Sequence, residues 1–384
     1  MTAGADPIVP PARIGMLGGG QLGRYALLAA RVMGYGTVVL DPDPTAPAGR
    51  VADEHVVATY DDPGALDRLA ATCAVVTTEF ENPPAAALER LARDVVVAPP
   101  ASAVAVAQDR IAEKRFLAGI GVPTAPFTVG RGPERTSGTD SIVYPAIVKT
   151  ARLGYDGKGQ RSVASSAERD AALDELAVEC VVEQRVPLDT EISVLVARTV
   201  DGRTVVYPIA ENHHVAGILD LTVVPARVSP GLAAEAGVLA VSIARQLQYV
   251  GVLAVEMFVS EGRLLVNELA PRPHNSGHWT LDAAVTDQFA QQVRAICGLA
   301  LGSPDLTTGS VAMVNLLGDL WSGGEPGWSS ALGDPDARLH LYGKAAARRG
   351  RKMGHLTVLG DSGAAGVDDV VARAIELRAG LLRR

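Results

Sequence analysis

Residues 252–279 read VLAVEMFVSEGRLLVNELAPRPHNSGHW. Two apolar runs, Val252 to Val259 and Leu264 to Leu269, flank Glu261-Gly262, a pair suited to a two-residue turn between antiparallel strands. One glutamate interrupts each run, Glu256 on the way out and Glu268 on the way back. With the turn centred at Glu261-Gly262, the two carboxylates fall almost opposite one another on one face of the hairpin. Facing carboxylates repel unless a proton or a cation lies between them. Mg2+ suits the pair, since it takes hard oxygen ligands and fills its other positions with water and phosphate oxygens. Two glutamates sharing one proton is the purely structural reading of the same residues. Asn267 is a further polar candidate beside Glu268. The loop from Pro271 to Trp279 is rigid and polar. His274 and His278 have a helical metal spacing, but Pro273 and Gly277 oppose a helix there, so zinc is not expected. Arg272, Asn275 and Ser276 read as substrate contacts.

Upstream, Ile192 to Val200 and Arg203 to Ile209 flank Asp201-Gly202 and predict another hairpin. His213 and His214 are expected on a loop after it, and a helix from about Gly231 to Gln248 follows. Earlier still, strand Ala146 to Lys149 runs into Gly154-Tyr155-Asp156-Gly157-Lys158-Gly159-Gln160, followed by a helix near Ala167 to Ala177 and strand Val181 to Glu183. No G-x-x-x-x-G-K-[ST] is present. The glycines instead permit a tight turn whose amides close over phosphates, with Lys149 and Lys158 as countercharge. This unit is too short for a large core of its own and reads as a lid. In Val181-Val-Glu-Gln-Arg-Val186, a strand edge with Glu183 suits an adenine amine, and Glu191 suits ribose hydroxyls. Solvated strand-end charges are the plainer reading.

At the start, strand and helix patterns alternate: Ile14 to Leu17, Gln21 to Met33, Thr37 to Asp41, Pro63 to Ala71, Ala74 to Thr78 and Val95 to Val97. That order predicts a parallel sheet. Gly18, Gly20 and Gly23 form G-x-G-x-x-G between strand and helix, and Asp41 closes the next strand where a ribose-binding acid would stand. The motif brings backbone N–H groups toward a phosphate at a helix N-terminus without saying whose phosphate it is. Tight helix–strand packing and nicotinamide dinucleotide binding both remain open on these residues alone. A helix is expected from Ser102 to about Ala118, stopped by Gly121-Val122-Pro123. Arg131 to Ser141 reads as a mobile polar loop. The C-terminal part gives a helix near Val285 to Leu299, strands Val311 to Leu317, Arg338 to Leu341 and His355 to Leu359, and a helix from about Val367. Lys344 and Arg348-Arg349-Gly350-Arg351-Lys352 form a local basic cluster sufficient for a phosphate.

A formal charge of −8 and a pI near 5.4 oppose general nucleic-acid binding, so an anionic ligand needs a local site. Three separated cysteines among 384 residues form neither a disulfide framework nor a zinc knuckle. No apolar run approaches a membrane span, and a cytoplasmic location is expected.

In order, GGGQLGR, TTEFEN, GYDGKGQ, VEQRV, VEMF, NELAPRPHNSGHWT and GRKMGH closely resemble the PurK family, the 5-(carboxyamino)imidazole ribonucleotide synthetases of the ATP-grasp superfamily. The resemblance covers about Ile14 to Leu359. Leu153 stands where many such proteins carry a second glycine. The implied class is α/β and α+β: an ATP-grasp fold with an N-terminal Rossmann-like domain (1–108), a linker helix and lid subdomain (109–190), and an antiparallel-sheet C-terminal domain (191–384). The implied reaction joins ATP, bicarbonate and 5-aminoimidazole ribonucleotide to give the N5-carboxylated product, ADP and phosphate through carboxyphosphate.

Similarity implies a nucleotide held by Arg110, Lys149, Gly154, Tyr155, Asp156, Gly157, Lys158, Gly159, Gln160, Glu183, Gln184, Arg185, Val186, Glu191, His214, Asn267 and Glu268. It implies Mg2+, or Mn2+, on Glu256 and Glu268. Around the ribonucleotide it suggests Gly20, Gln21, Leu22, Glu79, Arg272, Asn275, Ser276, Lys344 and Arg351. Asp156 is expected to handle the amine proton, and Tyr155, Lys158 and Lys352 to orient the intermediate. A homodimer is implied as well. Another ATP-grasp ligase, such as a formate-using phosphoribosyl formyltransferase, would share nearly every nucleotide residue. A dehydrogenase would leave the glutamate hairpin and the lid unexplained.

Overall fold

The structure, a computed structural model, describes residues 6–131, 142–154 and 158–382. Tyr155, Asp156, Gly157 and residues 132–141 of the expected polar loop lie outside the described residues.

Strands β1 (Arg13–Leu17), β2 (Gly36–Leu40), β3 (Glu54–Val56), β4 (Val75–Thr78) and β5 (Val96–Val97) form a parallel sheet in the order β3-β2-β1-β4-β5. β4 is buried along its whole length, as strands covered on both faces are. Helix Gln21–Val32 follows β1 directly, and Leu17, Val38, Leu40, Leu66, Leu69 and Val76 share one core. Asp62 caps helix Pro63–Thr72 by accepting the Ala65 N–H, with proline in the first turn.

The lid is antiparallel: β6 (Phe127–Arg131), β7 (Ala146–Thr150), β8 (Gln160–Val163) and β9 (Glu179–Gln184) lie in the order β6-β9-β7-β8. Helix Ser166–Leu176 packs on it, and its start is fixed from both sides. Ser165 Oγ accepts from the Glu168 N–H at 3.2 Å, and Glu168 Oε2 accepts from the Ala164 N–H at 2.9 Å.

The third sheet contains β10 (Thr190–Arg198), β11 (Thr204–Val206), β12 (Ala210–Val215), β13 (Ile218–Val224), β14 (Gly251–Ser260), β15 (Arg263–Ala270), β16 (Ser310–Leu317), β17 (Ala337–Leu341) and β18 (Lys352–Gly360). Its order is β15-β14-β10-β12-β13-β16-β18-β17, with β11 paired to β10. Helix Pro230–Gln246 covers β10, β14 and β15 through Ala240, Ile243 and Ala244 against Val194, Leu253, Val255 and Val266. Helix Ala364–Gly380 covers β16 and β18 with Val367, Val370 and Ala374.

Three expectations change. The single helix from Ser102 to Ala118 is two helices, Ala101–Ala107 and Arg110–Gly119. Asp109 is extended, and its carboxylate accepts from the Ile111 and Ala112 amides, which restarts the helix with Arg110 at its first position. The Asp201-Gly202 turn is longer than two residues, because Arg198 pairs with Thr204 and the Thr199 N–H donates to the Arg203 carbonyl at 3.0 Å. His213 and His214 lie on strand β12, which pairs with β13 around Ala216 and Gly217, both at positive φ. An Ala-Gly turn is a weaker signal than Asp-Gly, which is why that hairpin went unread.

Candidate active site

The hairpin of β14 and β15 turns at Glu261 and Gly262, with φ of 50° and 71°. Ser260 pairs with Arg263, Phe258 with Leu265 and Met257 with Val266. Continued evenly, that register would set Glu256 against Asn267. A bulge intervenes, and Glu256 pairs with Glu268. The extra residue is Asn267, so the strict alternation of faces is broken there. Asn267 Oδ1 comes within 3.5 Å of Lys149 Nζ while Glu268 faces Glu256. Burial, and then the charge of Glu268, push the Glu256 carboxyl up to about 7. His274 Nε2 stands 3.3 Å from Glu256 Oε1. A buried hard oxygen donor whose ionisation is opposed by a second one facing it is a fit for a divalent cation.

Positive charge faces this pair from the helix Arg110–Gly119 and from the lid. Arg110 Nη1 donates to Glu268 Oε2 at 2.8 Å and Nη2 to the Gly154 carbonyl at 3.3 Å, so it spans from the metal-type carboxylate to the lid turn. Lys149 Nζ donates to Glu183 Oε2 at 2.5 Å. Glu183 is 3% exposed, and its other oxygen lies 3.0 Å from Lys114 Nζ. Burial raises its pKa, but the two lysines outweigh that and hold it at about 2. The expected carboxylate for an adenine amine is therefore already occupied by lysines, and β9 itself is paired on both sides, with β6 and β7. Gln184 and Arg185 are fixed there, their N–H groups donating to the Pro126 and Pro145 carbonyls at 2.8 and 2.9 Å, with Val186 just beyond the strand. Glu191 on β10 and His214 on β12 form an ion pair of 2.8 Å. On the lid, Gly159 has a φ of +71° and accepts the Thr150 N–H through its carbonyl, Gln160 pairs with Lys149, and Lys158 is exposed.

Two residues of this group escaped the sequence reading. Lys114 and Glu113 are each 1% exposed on the helix face shared with Arg110. Glu113 Oε1 accepts the Leu269 N–H at 2.5 Å. Charged residues in a helix ordinarily mark its solvent side. The spacing Arg110, Glu113, Lys114, Leu117 was the available signal, because Leu117 shows which face is buried.

The N-terminal glycine loop lies beside a second group. The Gly20 N–H donates to Glu79 Oε1, and the Gly23 N–H to Glu79 Oε2 at 2.6 Å, while the Gly19 N–H donates to Asp41 Oδ2 at 2.6 Å. A Cβ on Gly20 would stand 2.4 Å from Glu79 Oε1, so a side chain here would displace the Glu79 carboxylate. The chain's own Glu79 thus sits where a bound phosphate was expected, and Asp41 staples the loop instead of waiting for a ribose. Leu22 points into the core with Met16, Leu27 and Phe289. Gln21 opens the helix at partial exposure.

Arg272 is ion-paired to Glu81 and donates to the Pro273 carbonyl at 3.0 Å, and its buried Nε has no hydrogen-bond partner among the described residues. Asn275 is 6% exposed, and among the described residues neither side-chain amide atom has a hydrogen-bond partner, as expected of a group awaiting a ligand. The Ser276 hydroxyl, expected at the substrate, is taken up by Ser193 Oγ and His274 Nδ1, each at 2.8 Å, and supports the histidine. Lys344 Nζ donates to the Lys352 carbonyl at 2.7 Å and Arg351 Nη1 to the Ala346 carbonyl at 2.8 Å, which folds the basic turn onto the start of β18. Asp282, His340 and His355 bring ligand-type atoms within 4.8 Å of one another. The two imidazoles stack at 4.5 Å and 11°, so their planes do not converge on one ion.

Cations on one side and two facing carboxylates on the other suit a polyphosphate with its divalent cation, and their setting on an antiparallel sheet under a four-stranded lid makes the chain an ATP-grasp ligase. Residues 115–289 match the ATP-grasp domain, 12–108 the ribonucleotide synthetase preATP-grasp domain, and 311–367 the phosphoribosylaminoimidazole carboxylase C-terminal domain. The chain is 43% identical over 353 residues to the N5-carboxyaminoimidazole ribonucleotide synthase of Brucella melitensis, covering 91% of this chain and 96% of that one. The crystal structure of an ADP complex of N5-carboxyaminoimidazole ribonucleotide synthetase superposes with a TM-score of 0.90 at 41% identity, over 97% of this chain and 98% of that one. The enzyme from Aspergillus clavatus, in complex with ADP and 5-aminoimidazole ribonucleotide, gives 0.83 at 30% identity, over 96% and 98%. The chain belongs to the N5-carboxyaminoimidazole ribonucleotide synthase family. Among the described residues no helix is long and apolar enough to cross a membrane.

Proposed function

We propose that this chain carboxylates 5-aminoimidazole ribonucleotide on its exocyclic amine, using bicarbonate and ATP and releasing ADP and phosphate. The observation that carries the reading is the Glu256–Glu268 pair facing across β14 and β15, with Arg110 and Lys149 beside it. Glu256 and Glu268 would hold Mg2+, or Mn2+, which when bound neutralises and polarises the transferring phosphoryl group. Arg110, donating to both Glu268 and the Gly154 carbonyl, would supply positive charge to the phosphates. Lys149 and the glycine turn at Gly154 and Gly159 close over the phosphates.

Bicarbonate is a poor electrophile until activated. One of its oxygens attacks the γ-phosphorus, the bond to ADP breaks, and carboxyphosphate forms. The amine nitrogen then bonds to its carbon as phosphate leaves, and the amine proton passes to a base. Asp156, outside the described residues, is proposed for that proton, with Tyr155, Lys158 and Lys352 orienting the intermediate. The ribonucleotide would lie between Glu79 on the glycine loop, Arg272 and Asn275, and the basic turn of Lys344 and Arg351. The unpartnered Asn275 amide and Arg272 Nε support that placement. The family resemblance suggests a homodimer, and a cytoplasmic location is proposed with it.

The test is ADP release with aminoimidazole ribonucleotide, adding bicarbonate or formate in turn. Turnover with bicarbonate alone is expected. Turnover with formate alone would assign the chain to the formyltransferases. No ADP under either condition would overturn the ligase reading.

A further inference from the structure

Lys114 is 1% exposed, and an ammonium so far from water requires counter-charge and acceptors. It has both. Its Nζ lies 3.1 Å from the Asn267 carbonyl, 3.5 Å from the Val266 carbonyl and 3.0 Å from Glu183 Oε1. Those contacts join three separate pieces of chain: the helix Arg110–Gly119, the lid strand β9, and β15 just before Glu268. Glu183 Oε2 meanwhile takes Lys149 at 2.5 Å. One buried carboxylate is therefore shared by two ammonium groups, and the trio carries a net formal charge of one positive.

That count decides what Lys149 has left to offer. With Lys149 as the sole partner of Glu183, the pair would be neutral, and its ammonium would be held on the carboxylate at short range in a site with little water to screen it. A third charge changes the balance. We propose that Lys114 is a positioning residue of the nucleotide site: it neutralises Glu183, so that the charge of Lys149 remains available to an anionic ligand. The same ammonium also reaches the carbonyls at 266 and 267. Lys114 itself touches no ligand and acts through Glu183. The inference rests on the reading of Lys149 as a nucleotide contact.

The experiment is calorimetric titration of ADP with Mg2+ into the full chain, its Lys114→Met variant and the Lys114→Met/Glu183→Gln double variant. Methionine keeps most of the buried stem and removes the charge. On this inference the single variant binds ADP at least about tenfold more weakly, because Glu183 then claims Lys149 outright. The double variant returns to within about threefold of the parent, since the carboxylate that captured Lys149 is gone and no unpaired carboxylate is buried. A residue with only a scaffolding role would not be rescued by removing its partner. Binding by the single variant within about twofold of the parent overturns the inference, as does a double variant no better than the single one. Where the single variant fails to fold, the double variant decides: near-parental affinity supports the inference and weak binding overturns it. Failure of the parent to bind ADP would strike at the nucleotide site itself and not at Lys114.

Discussion

Glu113→Gln isolates one ionisation from everything else in the site. Glu113 is 1% exposed, accepts the Leu269 N–H at 2.5 Å, and is pushed up to about 8, first by burial and next by the charge of Glu268, against an ordinary 4.5. The folded protein keeps a proton there that the unfolded chain releases above about 4.5. The native state therefore binds more protons than the unfolded one throughout that window, and stability falls as pH rises from about 4.5 to about 8. Each pH unit inside it corresponds to about 1.4 kcal/mol, so the whole window amounts to roughly 5 kcal/mol at most. Glutamine keeps an acceptor for the Leu269 amide and has no proton to lose. The variant should match the parent near about pH 5 and gain on it by about 1.4 kcal/mol per pH unit up to about pH 8. Urea denaturation of the nucleotide-free protein at several pH values, followed by tryptophan fluorescence, measures this. Trp279, 1% exposed, reports on the loop after β15. Parallel pH profiles for the two proteins would refute a neutral Glu113.

Glu256→Gln and Glu268→Gln should each lower ADP release by about a hundredfold or more, since each removes one of two facing oxygen donors; near-parental rates from either would move the cation elsewhere. Asp109→Ala removes the carboxylate that accepts from Ile111 and Ala112, and should cost about 1 kcal/mol in stability while raising the KM for ATP through Arg110, read by denaturation and initial rates. In acid, Glu183 works opposite to Glu113. Held at about 2, it contributes stability above about 4.5 that is lost as pH falls toward about 2, so Glu183→Gln should flatten the acid limb of the denaturation profile.

The parallel sheet, the lid, the turn at Glu261-Gly262 and the carboxylate pair were legible in the sequence, because each depends on residues close together in the chain. Alternating apolar segments, a glycine turn and one glutamate in each arm of a hairpin are local facts. The helix break at Asp109 was missed, although an aspartate stands there to cap, because a continuous helix satisfied the apolar pattern equally well. What the glycine loop binds was not legible. Its amides donate to any anion, and only the pairing of β1 with β4 brings Glu79 there to be that acceptor.

The sequence by itself determined which chemistry the chain carries: oxygen donors for a hard cation, lysines and a glycine turn for phosphate, and a motif order shared with one family. Tertiary structure decided how those groups are aimed. A single bulge exchanges Asn267 for Glu268 opposite Glu256, and packing of one helix against β9 and β15 turns Lys114 inward to share Glu183 with Lys149. The reason is physical. Turn type sets register only until an extra residue enters the strand, and the burial of a charge depends on partners about 70 and 150 residues away that no local pattern reveals.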